Sequence, residues 1–281
     1  MNLDGKTVLL TGASGGIGAH LAKEFSDAGA RLILTGRDPA QLQRVRESLS
    51  EQQDHQLIVA DLSTDAGVQH LAAECYRNEW EVDLLVNNAG LGDFCFLEST
   101  DRVMIRALLM VNLLVPIMLT RELLPLLKAR QEAACVYIGS AYGSIGYPGF
   151  SVYGATKFGL RGFSEALRRE LADTHVRILL AAPRATRTAL NSTGVVAMNA
   201  AMGNVMDAPE CVAQAIVGSI LKDRWGMLAF GWPERFFIWL NSLAPHLLDR
   251  ALRRQLPEIH QYARLPLTGR RLQDQLTGEK P

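Results

Sequence analysis

The segment that most constrains this chain lies within its first twenty-five residues. A short apolar run, Thr7–Leu10, passes directly into Thr11-Gly12-Ala13-Ser14-Gly15-Gly16-Ile17-Gly18 and then into the amphipathic stretch His20-Leu21-Ala22-Lys23-Glu24-Phe25. Glycine at such a turn lets the backbone approach an anion that a β-carbon would hold away, and the helix N-terminus that follows offers it unpaired N–H groups. A glycine cluster alone also describes an ordinary tight turn. Strand, turn and helix in this order favour a dinucleotide site built from Gly12, Ser14, Gly15, Gly16, Ile17 and Gly18.

The rest of the chain repeats the alternation that this opening begins. Thr7–Leu10, Arg31–Thr35, Gln56–Ala60, Asp83–Asn87, Cys135–Gly139, Val176–Ala181 and Met227–Phe230 read as strands, separated by helix-length segments. Continuous apolar strands between helices indicate a parallel sheet covered on both faces. The expected fold is therefore α/β, a Rossmann-like doubly wound sheet of about seven strands. At 281 residues and 48% apolar content the chain can build a sizeable core, which excludes disorder for most of it. No linker divides residues 1–230, so they are expected to form one dinucleotide-binding and catalytic domain. Residues 231–281 then form a helical extension packed on that domain or on a partner subunit.

Composition narrows the partners. The 29 basic and 29 acidic side chains balance, which gives no reason to expect nucleic-acid binding. Cys75, Cys95, Cys135 and Cys211 stand far apart without a C-x-x-C pair, which disfavours a metal site or disulfide framework and suits a reduced cytoplasmic setting. The N-terminus does not resemble a signal peptide. The longest apolar stretch, Leu108–Leu119, is interrupted by Asn112 and Pro116 and falls short of the about 18 residues of a spanning helix, so no integral membrane span is expected.

The end of the second strand speaks to cofactor choice. An NAD-binding unit commonly places a carboxylate there against the ribose 2′-hydroxyl, whereas this chain reads Leu34-Thr35-Gly36-Arg37-Asp38. A guanidinium at Arg37 can bind a 2′-phosphate that a carboxylate would repel, so NADP(H) is expected in preference to NAD(H). An ordinary solvated arginine is the alternative, and Asp38 beside it pulls the other way.

Chemistry gathers further along. Tyr153 and Lys157 are four residues apart on a segment of helical periodicity, which puts them on one face. A phenol with a pKa near about 10 needs a cationic neighbour to exchange protons at neutral pH. Ser140 ends the fifth strand at the edge where ligands of open α/β sheets bind, and Asn112 sits in a strongly apolar helix where an amide needs a partner. Singly, Tyr153 and Lys157 also fit a wet helix face, Ser140 a helix cap and Asn112 a satisfied core amide. Behind the glycine turn, their joint occurrence points to a catalytic set.

These motifs together resemble the short-chain dehydrogenase/reductase family in its single-domain branch, over roughly residues 5–230. The turn TGASGGIG is similar to the family's T-G-x-x-x-G-x-G, Asp61 with Leu62 resembles the pair that receives the adenine ring, and Asn87-Asn88-Ala89-Gly90 resembles its N-N-A-G segment. Asn112, Ser140, Tyr153 and Lys157 resemble its Asn–Ser–Tyr–Lys tetrad. The resemblance implies an oxidoreductase in which Tyr153 protonates a carbonyl oxygen while a nicotinamide delivers hydride to its carbon. It further implies that Ser140 orients the oxygen and that Lys157 binds the nicotinamide ribose and lowers the Tyr153 pKa. Asn112 would hold a water that links Lys157 to solvent. Cofactor contacts are implied for Asn88, Ala89, Gly90, Pro183 and Thr188, alongside Asp61, Leu62, Arg37, Tyr153 and Lys157. Where the family usually has Pro-Gly after the sixth strand, this chain has Pro183-Arg184. A left-handed conformation there would strain Arg184, and Arg184 or Arg187 would come within reach of cofactor phosphates or an anionic substrate; a surface salt bridge is the plainer expectation.

Met198, Met202 and Met206 recur at i, i+4 and i+8, as on an amphipathic helix capping the core or a lid over an apolar substrate. Tyr142, Ile145, Tyr147, Pro148 and Phe150 would wall the same pocket. An apolar, lipid- or acyl-like carbonyl substrate is expected, which places the enzyme in lipid metabolism. A 3-oxoacyl thioester reductase is the nearest rival, and a dinucleotide-binding regulatory or scaffold protein without turnover is the rival from another class. After Phe230 comes an aromatic and leucine-rich segment with a tail carrying seven basic and four acidic side chains from Asp249 onward. It suits packing against the sheet domain or a second subunit, with peripheral membrane contact as the alternative. Family resemblance implies a homodimer or homotetramer through the long helices that hold Asn112 and Tyr153–Asp173.

Overall fold

A computed structural model of the chain describes residues 1–263. The basic tail from Arg264 onward lies outside the described residues. Seven strands, β1 (Thr7–Thr11), β2 (Arg31–Gly36), β3 (Gln56–Val59), β4 (Val82–Asn87), β5 (Ala133–Ile138), β6 (Val176–Ala182) and β7 (Gly226–Ala229), form one parallel sheet in the order β3-β2-β1-β4-β5-β6-β7. Between and after them run α1 (Gly16–Asp27), α2 (Pro39–Glu47), α3 (Asp65–Arg77), α4 (Arg102–Leu109), α5 (Val115–Lys128), α6 (Ser151–Glu170), α7 (Thr193–Ala201), α8 (Pro209–Leu221), α9 (Glu234–Leu243) and α10 (Pro245–Ala263).

The period of two in the strands sorts their side chains to two cores. In β1, Val8 and Leu10 join Leu21 and Phe25 of α1 and Ile216 and Val217 of α8 on one face, while Leu9 meets Leu71 of α3, Leu123 of α5 and Leu160 of α6 on the other. Because both faces are covered, β4 and β5 are buried at every position, which explains the apolar sequence of β5 and of Leu84–Val86 in β4, where the buried Asp83 is paired with the Thr7 amide and Arg130. The strand order turns back beside β1, with β2 on one side and β4 on the other. That reversal opens a crevice at the carboxyl ends of the strands, where ligands of such sheets bind.

One sequence expectation is corrected here. Asn112 and Pro116 do not interrupt the apolar stretch: the helix runs continuously over Arg102–Lys128, 27 residues, through a π-helical turn at Met110–Leu114. Pro116 lies inside this helix just after the π turn, and the Asn112 amide is satisfied from outside the helix. By length and composition alone this helix could cross a bilayer. Half of its most apolar window is instead buried in this fold, with Leu119, Leu123 and Leu127 packed against the sheet.

The C-terminal segment divides in two. Ala244, with φ −143° and ψ 66°, breaks the helix, and Pro245 opens α10. Helix α10 folds back over α7: Ile259 and Ala263 pack with Val195 and Met198. Helix α9 buries no residue against the sheet domain. Met198 and Met202 belong to the α7 region as expected, but Met206 lies beyond the helix, where its carbonyl accepts a hydrogen bond from Arg187.

Candidate active site

The glycine turn is fixed by its surroundings. Gly12 has φ +62°, and a β-carbon there would stand 2.8 Å from the Ala89 Cα; one at Gly18 would stand 2.1 Å from the Gly12 carbonyl oxygen. These positions admit only glycine. At Gly15, by contrast, a β-carbon would meet no protein atom within 4 Å, so the turn presents bare backbone to open space beside the first amides of α1. That is the opening a pyrophosphate needs at a helix N-terminus, and the residues present fit a dinucleotide. Thr11 holds the turn in place. Its hydroxyl accepts hydrogen bonds from the Asn88 and Ala89 amides, both at 3.0 Å, and donates to the Val86 carbonyl, while the Asn88 side chain donates to the Thr11 and Gly12 carbonyls. The preceding Asn87 is buried with both polar side-chain atoms lacking a protein partner, a position that accommodates an internal water.

At the far end of the crevice, Gly36, Arg37, Asp61 and Leu62 line the cleft. Asp38 does not. Its carboxylate caps α2, accepting from the Ala40 and Gln41 amides at 2.9 and 3.0 Å, and these bonds hold it below the usual carboxylate range. The Asp61 carboxylate accepts from the Ser63 amide and hydroxyl.

Ser140, Tyr153 and Lys157 meet in the middle of the same cleft. Tyr153 and Lys157 share one face of α6, and the Lys157 ammonium lies 5.7 Å from the centre of the Tyr153 ring. It donates to the Ile138 carbonyl at 2.8 Å, and burial lowers its pKa to about 8. The Tyr153 phenol is pushed up by burial, with the Ser140 hydroxyl acting in the opposite direction. Desolvation outweighs that hydroxyl, so among the chain's own groups the phenol stands above its ordinary value; the expected lowering counted on an oxidised nicotinamide beside the ammonium. The Ser140 hydroxyl also caps a short turn by accepting from the Tyr142 amide.

Asn112 is a satisfied amide, 1% exposed, as the plainer reading of the sequence expected. It exchanges hydrogen bonds with both backbone groups of Leu91, at 2.8 and 2.9 Å, and donates to Thr156 at 3.3 Å. Yet it is also part of the site. A β-carbon on Gly90 would lie 3.4 Å from the Asn112 carbonyl oxygen and 3.9 Å from the Lys157 nitrogen, so both groups border one small space. The π turn that carries Asn112 is a form common at functional sites.

The remaining walls come from loops and the C-terminal helices. Pro183 and Thr188 line the cleft, and Thr188 covers the turn closely enough that a β-carbon at Gly16 would strike its methyl group at 2.8 Å. Arg184 is not strained, since among the described residues other than glycine only Glu79 and Asp223 have positive φ. Nor does its guanidinium reach for an anion. It is held bidentately by Asp207, at 3.0 and 2.7 Å, and contacts Glu234 at 3.3 Å, which corrects the phosphate-binding alternative. Phe94, Tyr142 and Phe150 line the cleft as an aromatic wall, with Tyr147, Met198, Met202 and Ile259 packed in the cluster behind it. The whole cleft measures about 370 Å³. Asp93, Leu190 and Tyr262 also line it and had no signal in the sequence, because tertiary folding alone brings them there. Thr11 had one, as the first letter of the glycine motif.

A parallel sheet with a phosphate cradle, a ribose end and a phenol–hydroxyl–ammonium cluster in one crevice defines a dinucleotide-dependent oxidoreductase architecture. Comparison with known proteins agrees. The short chain dehydrogenase family matches residues 6–198. A dehydrogenase/reductase SDR family protein 7-like from Anopheles gambiae is 33% identical over 263 residues, covering 87% of this chain and 81% of the relative. A Burkholderia phymatum short-chain dehydrogenase/reductase solved with NAD superposes with a TM-score of 0.78 at 22% identity, covering 88% of this chain and 96% of that one. A Sphingobium yanoikuyae short-chain dehydrogenase solved with NADPH gives 0.74 at 24%, covering 87% and 95%. The chain belongs to the short-chain dehydrogenase/reductase family.

Proposed function

We propose that this oxidoreductase interconverts a carbonyl and a secondary alcohol on an apolar, lipid- or acyl-like substrate, with NADP(H) preferred over NAD(H). The observation that carries the reading is the meeting of Tyr153, Ser140 and Lys157 in the cleft floored by the glycine turn. Related folds hold NAD in one case and NADPH in another, so the cofactor preference rests on this chain's own residues. Gly36 and Arg37 stand at the ribose end, and the neighbouring carboxylate of Asp38 is engaged with its helix.

In this reading Gly12, Ser14, Gly15, Gly16, Ile17 and Gly18 hold the pyrophosphate, and Asp61 and Leu62 flank the adenine. Asn88, Ala89, Gly90, Pro183 and Thr188 hold the nicotinamide end. When bound, the dinucleotide supplies hydride to the carbonyl carbon or accepts it from the alcohol. Tyr153 donates a proton to the carbonyl oxygen, and burial keeps its phenol protonated and ready for that step. Ser140 orients the oxygen. Lys157 provides positive charge beside the phenol and binds the ribose. Asn112 holds the Gly90–Leu91 segment against Lys157 through its amide.

The aromatic wall of Phe94, Tyr142 and Phe150 supports an apolar substrate, because its rings offer few groups to solvate charge. The absence of disulfides among the four cysteines supports a cytoplasmic setting. The exposed Leu109, Leu114 and Phe158 on the α4–α6 surface support self-association through those helices. The test is NADPH absorbance loss across aliphatic ketones and 3-oxoacyl thioesters of increasing chain length. The expected result is a rise in kcat/KM with length and loss of turnover in Tyr153→Phe with cofactor binding retained. Substantial turnover in that variant would overturn the catalytic assignment, and no gain with length would overturn the substrate class.

A further inference from the structure

Helix α9 is turned inside out relative to an ordinary surface helix. Two of its polar residues face the protein: Glu234 meets the Arg184 guanidinium, and the Asn241 side chain donates to the Ser144 carbonyl at 2.9 Å. Its largest apolar residues face solvent, while Ile238 and Leu240 are half-buried. Phe236, Trp239 and Leu243 lie on one helical stripe, which Trp232 in the preceding turn extends, with exposures of 39, 56, 65 and 75%. The rings of Trp232, Phe236 and Trp239 contact one another at 5.8–6.0 Å, so the stripe is a continuous apolar ridge. The two anchors prevent the helix from rolling to bury it.

We propose that α9 docks the enzyme on the surface of a phospholipid bilayer bearing anionic headgroups, with the Trp232–Leu243 ridge inserted at the headgroup boundary. Tryptophan and phenylalanine on one side of a helix suit that depth, where an aromatic ring meets both hydrocarbon and water. The charges nearby complement it. Arg235, Arg250, Arg253 and Arg254 are exposed on α9 and α10 against the exposed carboxylates of Asp249 and Glu258, and since Arg184 is shared by Asp207 and Glu234 the helices keep a small positive excess. A second copy of the chain is the weaker occupant. The three exposed rings offer roughly 250–430 Å², which even with Leu243 stays below the roughly 800 Å² per partner of a stable interface.

The same geometry ties the ridge to the catalytic cleft. Ser144, which anchors α9, follows the turn capped by Ser140, and α10 continues from α9 to Tyr262, which lines the cleft. Docking would therefore set the cleft beside the lipid phase. The proposal is independent of the substrate reading above, because it concerns where the enzyme sits and not what it reduces.

The experiment is co-sedimentation of the full chain with phosphatidylcholine vesicles, with and without phosphatidylglycerol, together with tryptophan emission. Sedimentation that strengthens with phosphatidylglycerol, with a blue-shifted emission, is expected. The double variant Trp239→Gln/Leu243→Gln is expected to lose at least about tenfold in partition coefficient, since moving even one such side chain from lipid to water is worth a factor of that order. Its reduction of a small water-soluble ketone without vesicles should be unchanged, which shows that the variant is folded and separates this test from that of the activity. A chain that stays in the supernatant with both vesicle types would overturn the proposal. So would vesicle binding that the double variant retains, or a concentration-dependent dimer that the double variant abolishes while vesicles are ignored.

Discussion

Replacing Thr11 by valine tests how the phosphate cradle is held together. Valine has nearly the same shape, so no cavity opens; what disappears is one hydroxyl in a position only 1% exposed. That oxygen accepts from two backbone amides, Asn88 and Ala89, and donates to the Val86 carbonyl. The Asn88 amide keeps the Val86 carbonyl as a second acceptor, so the Ala89 amide alone is left without a partner, at a cost of roughly 1–3 kcal/mol. Domains of ordinary stability retain only about 5–15 kcal/mol, so the urea midpoint should fall measurably. Because the same amides carry the Asn88–Gly90 segment, KM for the dinucleotide should rise more than kcat falls. Thr11→Ser keeps the hydroxyl, loses one methyl group worth about 0.8 kcal/mol, and should restore the cofactor KM. Urea titration with cofactor kinetics on both variants decides the matter. A valine variant within about 1 kcal/mol of wild type, below the range just derived, and with an unchanged cofactor KM would refute the reasoning.

Other expectations follow from the same geometry. Arg37→Ala should weaken NADPH binding by about tenfold or more while leaving NADH binding nearly unchanged, as measured by fluorescence titration; equal losses for both would remove Arg37 from the 2′-phosphate site. Lys157 carries its charge below about 8, so kcat/KM for carbonyl reduction should hold level through neutrality and fall as pH passes that value. A profile that stays flat well beyond it would show that this charge is not needed. Stability should move the other way. The folded value lies below the ordinary 10.5, so the unfolded chain binds more protons between the two, and the penalty of the buried ammonium is relieved as pH rises through that interval. Thermal melts of wild type and Lys157→Met against pH measure it.

The parts of this molecule legible in the sequence are those fixed by local rules. The strands lie where β-branched and leucine-rich runs place them, and the glycine turn sits between β1 and α1 because Gly12 and Gly18 admit no side chain. Tyr153 and Lys157 share a face because a helix requires it. What stayed hidden depends on distant partners. That Arg184 serves Asp207 and Glu234 follows only from how the chain after β6 packs against the start of α9. The Asp38 carboxylate could be assigned to its helix only once the cap was visible. The aromatic stripe of α9 carries the same pattern whether it faces core or solvent, and Asn241 and Glu234 decide the matter by holding the opposite side.

The π-helical turn at Met110–Leu114 has a consequence for what variation this region tolerates. It accommodates one residue more than an α-helix of the same rise, so α4 and α5 keep their alignment although the chain between them is a residue longer. Deleting a single residue there would restore a regular spiral and leave the buried faces of both helices, Met104 and Leu108 among them, where they are. What it would remove is the wide turn that sets the Asn112 amide opposite the Leu91 backbone. The length of this stretch is tuned to the cleft and not to the core.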